Sequence, residues 1–146
     1  DGWYLEELKK DFAGAPEVHF AGVQGGEILA GLYADADFLL FPSTTDTFGN
    51  VVVEALASGT PAIVSDKGGP QDIVFGKDCG YILPSDDATA WMNQLDECIQ
   101  LRRNESSYLP MRENAYKRSK DFTLEKAAAA QWEFYKKVYH EYYFGK

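Results

Sequence analysis

Short apolar runs alternate with amphipathic segments along the first half of the chain. Four of these runs are too short to form helices, and they lack the clean polar alternation of a half-exposed strand. They lie at residues 18–21, 38–41, 62–64 and 81–83. We interpret them as strands covered on both faces. Because helical patterns separate most of them, the sequence predicts an α/β fold with a Rossmann-like parallel sheet of about four strands and flanking helices.

The segments between these runs have helical spacing. An apolar stripe runs through residues 27–34, between the first two runs. Residues 50–58 form a second predicted helix, which Gly59 and Pro61 end.

The chain becomes helical beyond residue 84. Asp86 and Asp87 are suited to cap a helix, and the spacing of its residues places Trp91, Leu95, Cys98 and Arg102 on one face. We expect residues 104–107 to end this helix. A last long helix is expected from Thr123, which would act as its N-cap.

Composition favours one globular domain and excludes some partners. The 146 residues are 45% hydrophobic, and we expect a single partial domain with an α/β core at residues 1–84 and a helical part at residues 85–146. The net charge of -9 argues against nucleic acid, which needs a basic face. Cys79 and Cys98 lack the spacing of a zinc site or redox pair, so we expect two reduced thiols.

The ends of the chain bear on its location. No apolar run approaches the ~20 residues needed to cross a bilayer, and residues 1–4 resemble no signal peptide, so we expect a cytoplasmic protein. Aromatic residues recur beside Lys136 and Lys137 near the C-terminus, which leaves a peripheral position at the membrane open. Residues 4–10 also have the spacing of a helix, with Leu5 and Leu8 on one face. The chain thus begins within a predicted helix that no strand precedes, and we therefore expect it to be cut from a longer protein.

The segment after the second apolar run carries the candidate chemistry. Ligands of open parallel sheets bind beyond the carboxyl ends of the strands, where the amides of a helix N-terminus attract anions. Gly49 allows close backbone approach, so the amides near Gly49, Asn50 and Val51 are candidates to hold a phosphate. Glu54 lies about 7 Å further along the helix axis. A carboxylate there can accept hydrogen bonds from both hydroxyls of a ribose.

Simpler interpretations stay open for these residues. An acidic residue on a helix is usually solvated, and a glycine near a helix start is usually a turn residue. Glu54, however, interrupts the otherwise apolar segment 51–57, and a charge in such a segment needs a partner.

Residues 42–61 resemble the acidic-x7-Glu signature of the family-4 retaining glycosyltransferases, also called glycosyl transferases group 1, which have the GT-B fold. Asp46 and Glu54 stand at the two signature positions. Residues 68–74 and 80–83 resemble the segments that follow the signature in that family. The resemblance runs in order from about residue 4 to residue 83, with a weaker match through the C-terminal helices. It identifies the chain as the donor-binding, C-terminal domain of a GT-B enzyme.

This resemblance implies a retaining hexosyltransferase that uses a nucleoside-diphosphate sugar, with no metal or other cofactor. Asp46 would be catalytic and lie beside the donor sugar, and Glu54 would bind the donor ribose. The remaining implied donor contacts are Phe48, Gly49, Asn50 and Val51 at the diphosphate, with Ser43 beside them and Val23 near the base. For Val23, a plain turn is an equally good interpretation.

The sequence departs from the family pattern at two points. Asp46 stands where most members have Glu, and the variant with Asp resembles enzymes that glycosylate lipid acceptors. The strand-turn-helix with Gly-Arg and a downstream Lys, which neutralises the diphosphate in the family, is absent from the chain. We therefore expect this chain alone to be inactive without an N-terminal acceptor domain, the acceptor being a lipid or a saccharide.

Two other functions are alternatives for this sequence. One is a non-catalytic protein-interaction module with a GT-B-like fold. The other is a nucleotide-sugar epimerase, which shares the fold but needs acid/base side chains for which the sequence offers no convincing candidate. Asp35 and Asp37 form a D-x-D pattern, which binds metal in another glycosyltransferase fold, but they lie far upstream of the phosphate loop, and no metal site is expected.

Overall fold

The computed structural model describes residues 2–145. Asp1, the first residue of the segment compared with signal peptides, and Lys146 lie outside the described residues. The α/β class is confirmed, with a parallel sheet and helices packed around it. The elements are α1 (Leu5–Asp11), α2 (Gly26–Asp35), β1 (Leu39–Phe41), α3 (Asn50–Ala57), β2 (Ala62–Ser65), α4 (Pro70–Val74), β3 (Gly80–Leu83), α5 (Ala88–Arg102), α6 (Glu105–Ser119), a 3₁₀ turn (Lys120–Phe122) and α7 (Leu124–Phe144).

The sheet has three parallel strands in the order β1-β2-β3 within residues 2–145. In register, Leu39 lies opposite Ala62, which lies opposite Gly80. Every residue of the central strand β2 is buried, as its uninterrupted apolar run predicts. The carboxyl ends of β1 and β2 therefore open on the same edge of the sheet.

The first predicted strand, at residues 18–21, does not form. The amide of Val18 closes a turn on the carbonyl of Ala15 at 3.0 Å, and the Phe20 side chain is 41% exposed. A strand needs a neighbouring backbone to pair with, and in the described part of the chain β1 pairs with β2 instead. Three of the four predicted strands are thus present.

Both faces of the sheet are covered. On one face, α3, α4 and α6 enclose a core formed by Val52, Leu56, Ala62, Val64, Ile73, Val74, Cys79 and Ala115. On the other face, α5 covers a smaller cluster around Ile63 and Leu83. The predicted α5 face is confirmed at Trp91, Leu95 and Cys98, which pack into this second cluster.

The helical caps behave as predicted. Asp87 caps α5 by accepting a hydrogen bond from the amide of Ala90 at 3.0 Å, and Thr123 caps α7 by accepting one from the amide of Lys126 at 3.3 Å. Residues 104–107, expected to end a helix, instead begin another. Helix α5 ends at Arg102, only Arg103 and Asn104 separate the two helices, and α6 starts at Glu105.

α7 extends from the end of the 3₁₀ turn with every residue exposed. None of the helices within residues 2–145 is long and apolar enough to cross a membrane.

Candidate functional site

The loop between β1 and α3 leaves the carboxyl edge of the sheet. Its first residues are fixed to the neighbouring strand, because the Ser65 hydroxyl at the end of β2 donates to the carbonyl of Ser43 at 2.5 Å. The Ser43 hydroxyl in turn accepts a hydrogen bond from the amide of Asp46 at 3.3 Å. The structure thus places Ser43 in the loop, where its polar atoms shape the turn that carries Asp46.

Asp46 organises the rest of this loop. Its Oδ1 accepts a hydrogen bond from the amide of Phe48 at 2.9 Å, which closes a turn within the loop. The half-buried carboxylate keeps its second oxygen free of protein partners within residues 2–145. The amide of Phe48, one of the predicted phosphate ligands, is therefore already bonded to Asp46.

Gly49 directs the chain into α3. It has φ 98° and ψ 51°, a left-handed conformation that glycine adopts without the strain of a side chain. Its carbonyl accepts hydrogen bonds from the amides of Val52 at 2.9 Å and Val53 at 3.2 Å. The amides of Asn50 and Val51, the first two of the helix, have no acceptor among residues 2–145.

This helix terminus suits an anion. No side chain caps α3 at Gly49, and no acidic residue lies in its first turn. The free amides of Asn50 and Val51 coincide with the positive end of the helix dipole. The structure thus gives the predicted residues Gly49, Asn50 and Val51 the geometry of an open anion-binding terminus.

Helix α4 and the two glycines before it form the back wall of this loop. The amide of Gly69 donates to the carbonyl of Asp46 at 3.1 Å. A Cβ at Gly49 would lie 3.0 Å from Pro70 Cγ and 3.3 Å from Ile73 Cδ1, so α4 packs directly on that residue. Gly68 approaches as closely, because a Cβ there would lie within contact distance of the Asp46 carbonyl. The loop is held between the sheet and α4.

Glu54 faces a groove between α2 and α3. It is exposed, and Tyr33 of α2 donates a hydrogen bond to its Oε2 at 3.4 Å. The groove has a volume of about 330 Å³ and is lined by Gly26, Leu29, Ala30, Tyr33, Glu54, Ala57 and Ser58. Burial, and then the negative charge of Glu54, raises the pKa of Tyr33 above its usual value. The tyrosine therefore stays protonated and remains a donor to this carboxylate.

Sequence patterns did not single out Tyr33. It belonged to an apolar stripe, whose other members include Ile28 and Leu32, and these are 65% and 48% exposed. Its partner Glu54 is distant in sequence, so no local signal connects the two residues. A second hydrogen bond anchors α2 near the end of α3, because the buried Thr60 hydroxyl donates to the carbonyl of Tyr33.

Val23 lies apart from these residues. It is on the loop before α2, its side chain is 77% exposed, and it is not among the described residues that line the groove. The neighbouring Gln24 side chain donates to the carbonyl of Ala21 at 2.6 Å, which is a turn contact. The structure does not bring Val23 together with Glu54.

The D-x-D pattern has a different role. The carboxylate of Asp37 pairs with the Arg102 guanidinium at 2.5 Å, at the end of α5. Within residues 2–145, no group of three His, Cys, Asp or Glu side chains is arranged to hold a metal ion. Asp37 thus connects the start of β1 to α5.

Comparison with known sequences identifies relatives of this chain. A family model described as Glycosyl transferases group 1 matches residues 1–100. A D-inositol 3-phosphate glycosyltransferase of Corynebacterium urealyticum is 30% identical over 134 residues, which is 92% of this chain and 31% of the relative. A sulfoquinovosyl transferase of Arabidopsis thaliana is 43% identical over 74 residues, 51% of this chain and 14% of that protein. The chain spans less than a third of either relative.

Solved structures resemble the fold over most of the chain. Sucrose-phosphate synthase from Thermosynechococcus elongatus superposes with a TM-score of 0.77 at 28% identity, over 93% of this chain and 34% of that one. The Anabaena protein HepE, solved in complex with UDP, superposes with a TM-score of 0.73 at 23% identity, over 88% of this chain and 36% of that one. The second likeness concerns the fold alone.

Proposed function

The chain belongs to the glycosyl transferases group 1 family, with the GT-B fold, and we propose that it forms the donor-binding part of a retaining glycosyltransferase. The donor in this proposal is a nucleoside-diphosphate hexose. The observation that carries it is the uncapped N-terminus of α3, followed within the same helix by Glu54 at an open groove. No other helix start in the described residues combines these two features with a glycine in the left-handed conformation at the cap.

The spacing of the two features matches the two ends of a nucleoside diphosphate. The amides of Gly49, Asn50 and Val51 would bind the diphosphate, aided by the helix dipole. Glu54 lies about 7 Å beyond Gly49 along the helix axis, at 1.5 Å per residue. Its carboxylate would accept hydrogen bonds from the two ribose hydroxyls. The Tyr33 hydroxyl, which donates to Oε2, would keep the carboxylate in place.

The chemistry in this proposal is transfer of the sugar from phosphate to an acceptor hydroxyl. The bond between the anomeric carbon and the diphosphate oxygen breaks, and a bond from that carbon to the acceptor oxygen forms on the same face. The O–H bond of the acceptor breaks in the same step, and its proton passes to the departing diphosphate oxygen. Negative charge then grows on the leaving diphosphate, and amides held in position before the reaction stabilise it. Asp46 would lie beside the donor sugar through its unpaired carboxylate oxygen. The proposal requires no metal or other cofactor.

We further propose that this chain alone binds a donor without turnover. It holds about a third or less of the length of its relatives, and its sequence contains no Gly-Arg pair to neutralise the diphosphate. An acceptor-binding domain, which would take a saccharide or a lipid, completes the enzyme in this proposal. Incubation with UDP-glucose or GDP-mannose should therefore give no sugar release, whereas measurable release would contradict this part.

Titration with UDP, GDP and ADP tests donor binding. Amide resonances of residues 49–54 should shift on addition of at least one of them. Glu54→Ala should weaken the binding of that ligand by about 1.5–3 kcal/mol, the value of a hydrogen bond to a charged group. This corresponds to a roughly ten- to 150-fold loss of affinity. Glu97→Gln, which changes an exposed carboxylate on α5, serves as the matched control and should leave the affinity unchanged.

The same titration separates the alternatives. If none of the three diphosphates shifts residues 49–54, donor binding by this chain is wrong and a protein-interaction module becomes the better interpretation. If a diphosphate binds but Glu54→Ala does not change its affinity, the loop remains the proposed diphosphate site. The proposed contact between Glu54 and the ribose is then wrong.

A further inference from the structure

Helix α6 carries two arginines whose side chains cap the C-terminal ends of two other helices. Arg118 is only 15% exposed and donates from Nε to the carbonyl of Ile73 at 2.8 Å and from Nη2 to that of Asp72 at 3.0 Å, at the end of α4. Arg112 donates from its two terminal nitrogens to the carbonyls of Ala36 at 3.1 Å and Ala34 at 2.9 Å, at the end of α2. Each guanidinium satisfies carbonyls that a helix end leaves without intrahelical partners.

The helix that Arg118 holds is the back wall of the loop at residues 46–49. α4 is only five residues long, so its own hydrogen bonds fix it weakly. Pro70 and Ile73 of α4 pack on Gly49, and the amide of Gly69 bonds the carbonyl of Asp46. A shift of α4 therefore moves the surface against which the loop lies.

A second path leads from Arg118 to the same loop. Its guanidinium lies over the ring of Phe122, 4.5 Å from the centroid, and also pairs with Asp121 at 2.9 Å. The Phe122 ring meets the Phe48 ring edge to face, with centroids 5.9 Å apart. Phe48 is the residue whose amide Asp46 binds. Arg118 thus reaches the loop through α4 on one side and through aromatic rings on the other.

We propose that Arg118 is a positioning residue for the diphosphate loop, which it holds from outside through α4 and the Phe122–Phe48 contact. It touches no donor atom and acts by fixing where the amides of Gly49, Asn50 and Val51 point. This inference rests on the proposed donor site. According to this inference, the position of the loop depends on α6, a helix that follows the last strand of the sheet in the sequence.

Arg118→Lys tests this role, with Arg112→Lys as the matched control. Lysine keeps the charge but cannot bridge two carbonyls while stacking on a ring. Each change replaces one arginine of α6 and removes its guanidinium from the end of another helix, α4 for Arg118 and α2 for Arg112. UDP affinity should fall about tenfold for Arg118→Lys and less than about twofold for Arg112→Lys. Affinity for uridine, which lacks the diphosphate, should change equally little in both. GDP and guanosine replace this pair of ligands if the wild type prefers GDP.

A ligand-free measurement keeps the inference testable by itself. Amide hydrogen exchange at Phe48 and Gly69, the two donors to Asp46, should accelerate in Arg118→Lys and stay at the wild-type rate in Arg112→Lys. Phe122→Leu removes the aromatic path alone and should accelerate exchange at Phe48 more than at Gly69. This variant also serves if Arg118→Lys fails to fold.

The outcomes distinguish the inference from the proposed function. If the wild type binds UDP and both arginine variants lose affinity equally, or neither does, Arg118 is a structural residue only and the inference is overturned. If the wild type binds no diphosphate, the proposed function fails, and unchanged exchange at Phe48 and Gly69 in Arg118→Lys would overturn the positioning role as well.

Discussion

Replacement of Gly69 by alanine perturbs the contact between the loop and its back wall. Gly69 has φ -73° and ψ -30°, which alanine adopts freely, so backbone strain makes no contribution. The new Cβ would nevertheless lie 2.7 Å from the carbonyl carbon of Thr47 and 2.8 Å from Phe48 Cα, and closer still to the Thr47 oxygen. Ordinary carbon-to-oxygen contacts are about 3.3 Å or more. Because the obstacles are backbone atoms, the loop or α4 has to move by roughly 1 Å.

The expected cost follows from this displacement. Overpacking of this kind typically destabilises a protein by about 1–3 kcal/mol. For a chain of this size, such a loss lowers the midpoint of thermal unfolding by roughly 3–9 °C. The displaced loop should also lose at least one hydrogen bond to the diphosphate, and the affinity for UDP should therefore fall by about tenfold or more.

Thermal unfolding and UDP titration of Gly69→Ala measure both effects. Gly31→Ala is the control, because a Cβ at Gly31 within α2 meets nothing within 4 Å. That change should stabilise the chain by about 0.5–1 kcal/mol and leave UDP affinity unchanged. A Gly69→Ala variant with wild-type stability and unshifted loop amides would refute the close contact between α4 and the loop.

Three further outcomes follow from the packing and the charges. Tyr108→Phe should cost about 1–3 kcal/mol in urea unfolding, because the buried hydroxyl donates at 2.7 Å to a carbonyl just before β1; an unchanged midpoint would contradict that role. Burial raises the pKa of Cys79 to about 11, so a thiol reagent at about pH 8 should label it only as fast as the protein unfolds, and rapid labelling of the native chain would show an open core. Hydrogen bonds from Lys126 and Arg118 lower the pKa of Asp121 below its ordinary value of 3.8, so its stabilising effect is present above that pH and lost as the pH falls through the lower, folded value. Asp121→Asn should therefore be less stable than the wild type at neutral pH, and the difference should shrink as the pH falls below 3.8; a difference that does not shrink in acid would argue against the ion pairs.

Local patterns predicted the parts of the fold that local forces determine. The apolar runs of β1, β2 and β3 and the caps at Asp87 and Thr123 follow from side-chain chemistry within a few residues. The segment at residues 18–21 is also a short, mainly apolar run, but strand formation depends on a partner elsewhere, which a local pattern does not encode. α6 was missed because its buried residues, among them Tyr108 and Ser119, form no apolar stripe.

The candidate site divides in the same way. The motif at residues 46–54 predicted the open terminus of α3, since the strand, loop, glycine and helix follow one another directly. The roles assigned to Tyr33 and Arg118 depend on hydrogen bonds to residues that are 21 and 45 positions away in the sequence, respectively. The spacing of apolar residues does not predict such contacts. The pair Gly68-Gly69 entered the sequence analysis only as part of a segment that resembles the family. Its meaning became clear only with α4 in place.

The late position of α6 in the chain has a consequence for biosynthesis. Its Arg112 bonds to carbonyls 76 and 78 residues earlier, and its Ala115 completes the core beneath α3. At roughly 5–20 residues per second, a ribosome needs about 4–15 s to make that stretch. During this interval the apolar side of α3 is exposed to chaperones and to other nascent chains. If Arg118 positions the loop at residues 46–49 as proposed, the loop gains its final rigidity only when α6 has left the ribosome, and a nucleotide bound there could not serve as an early folding aid.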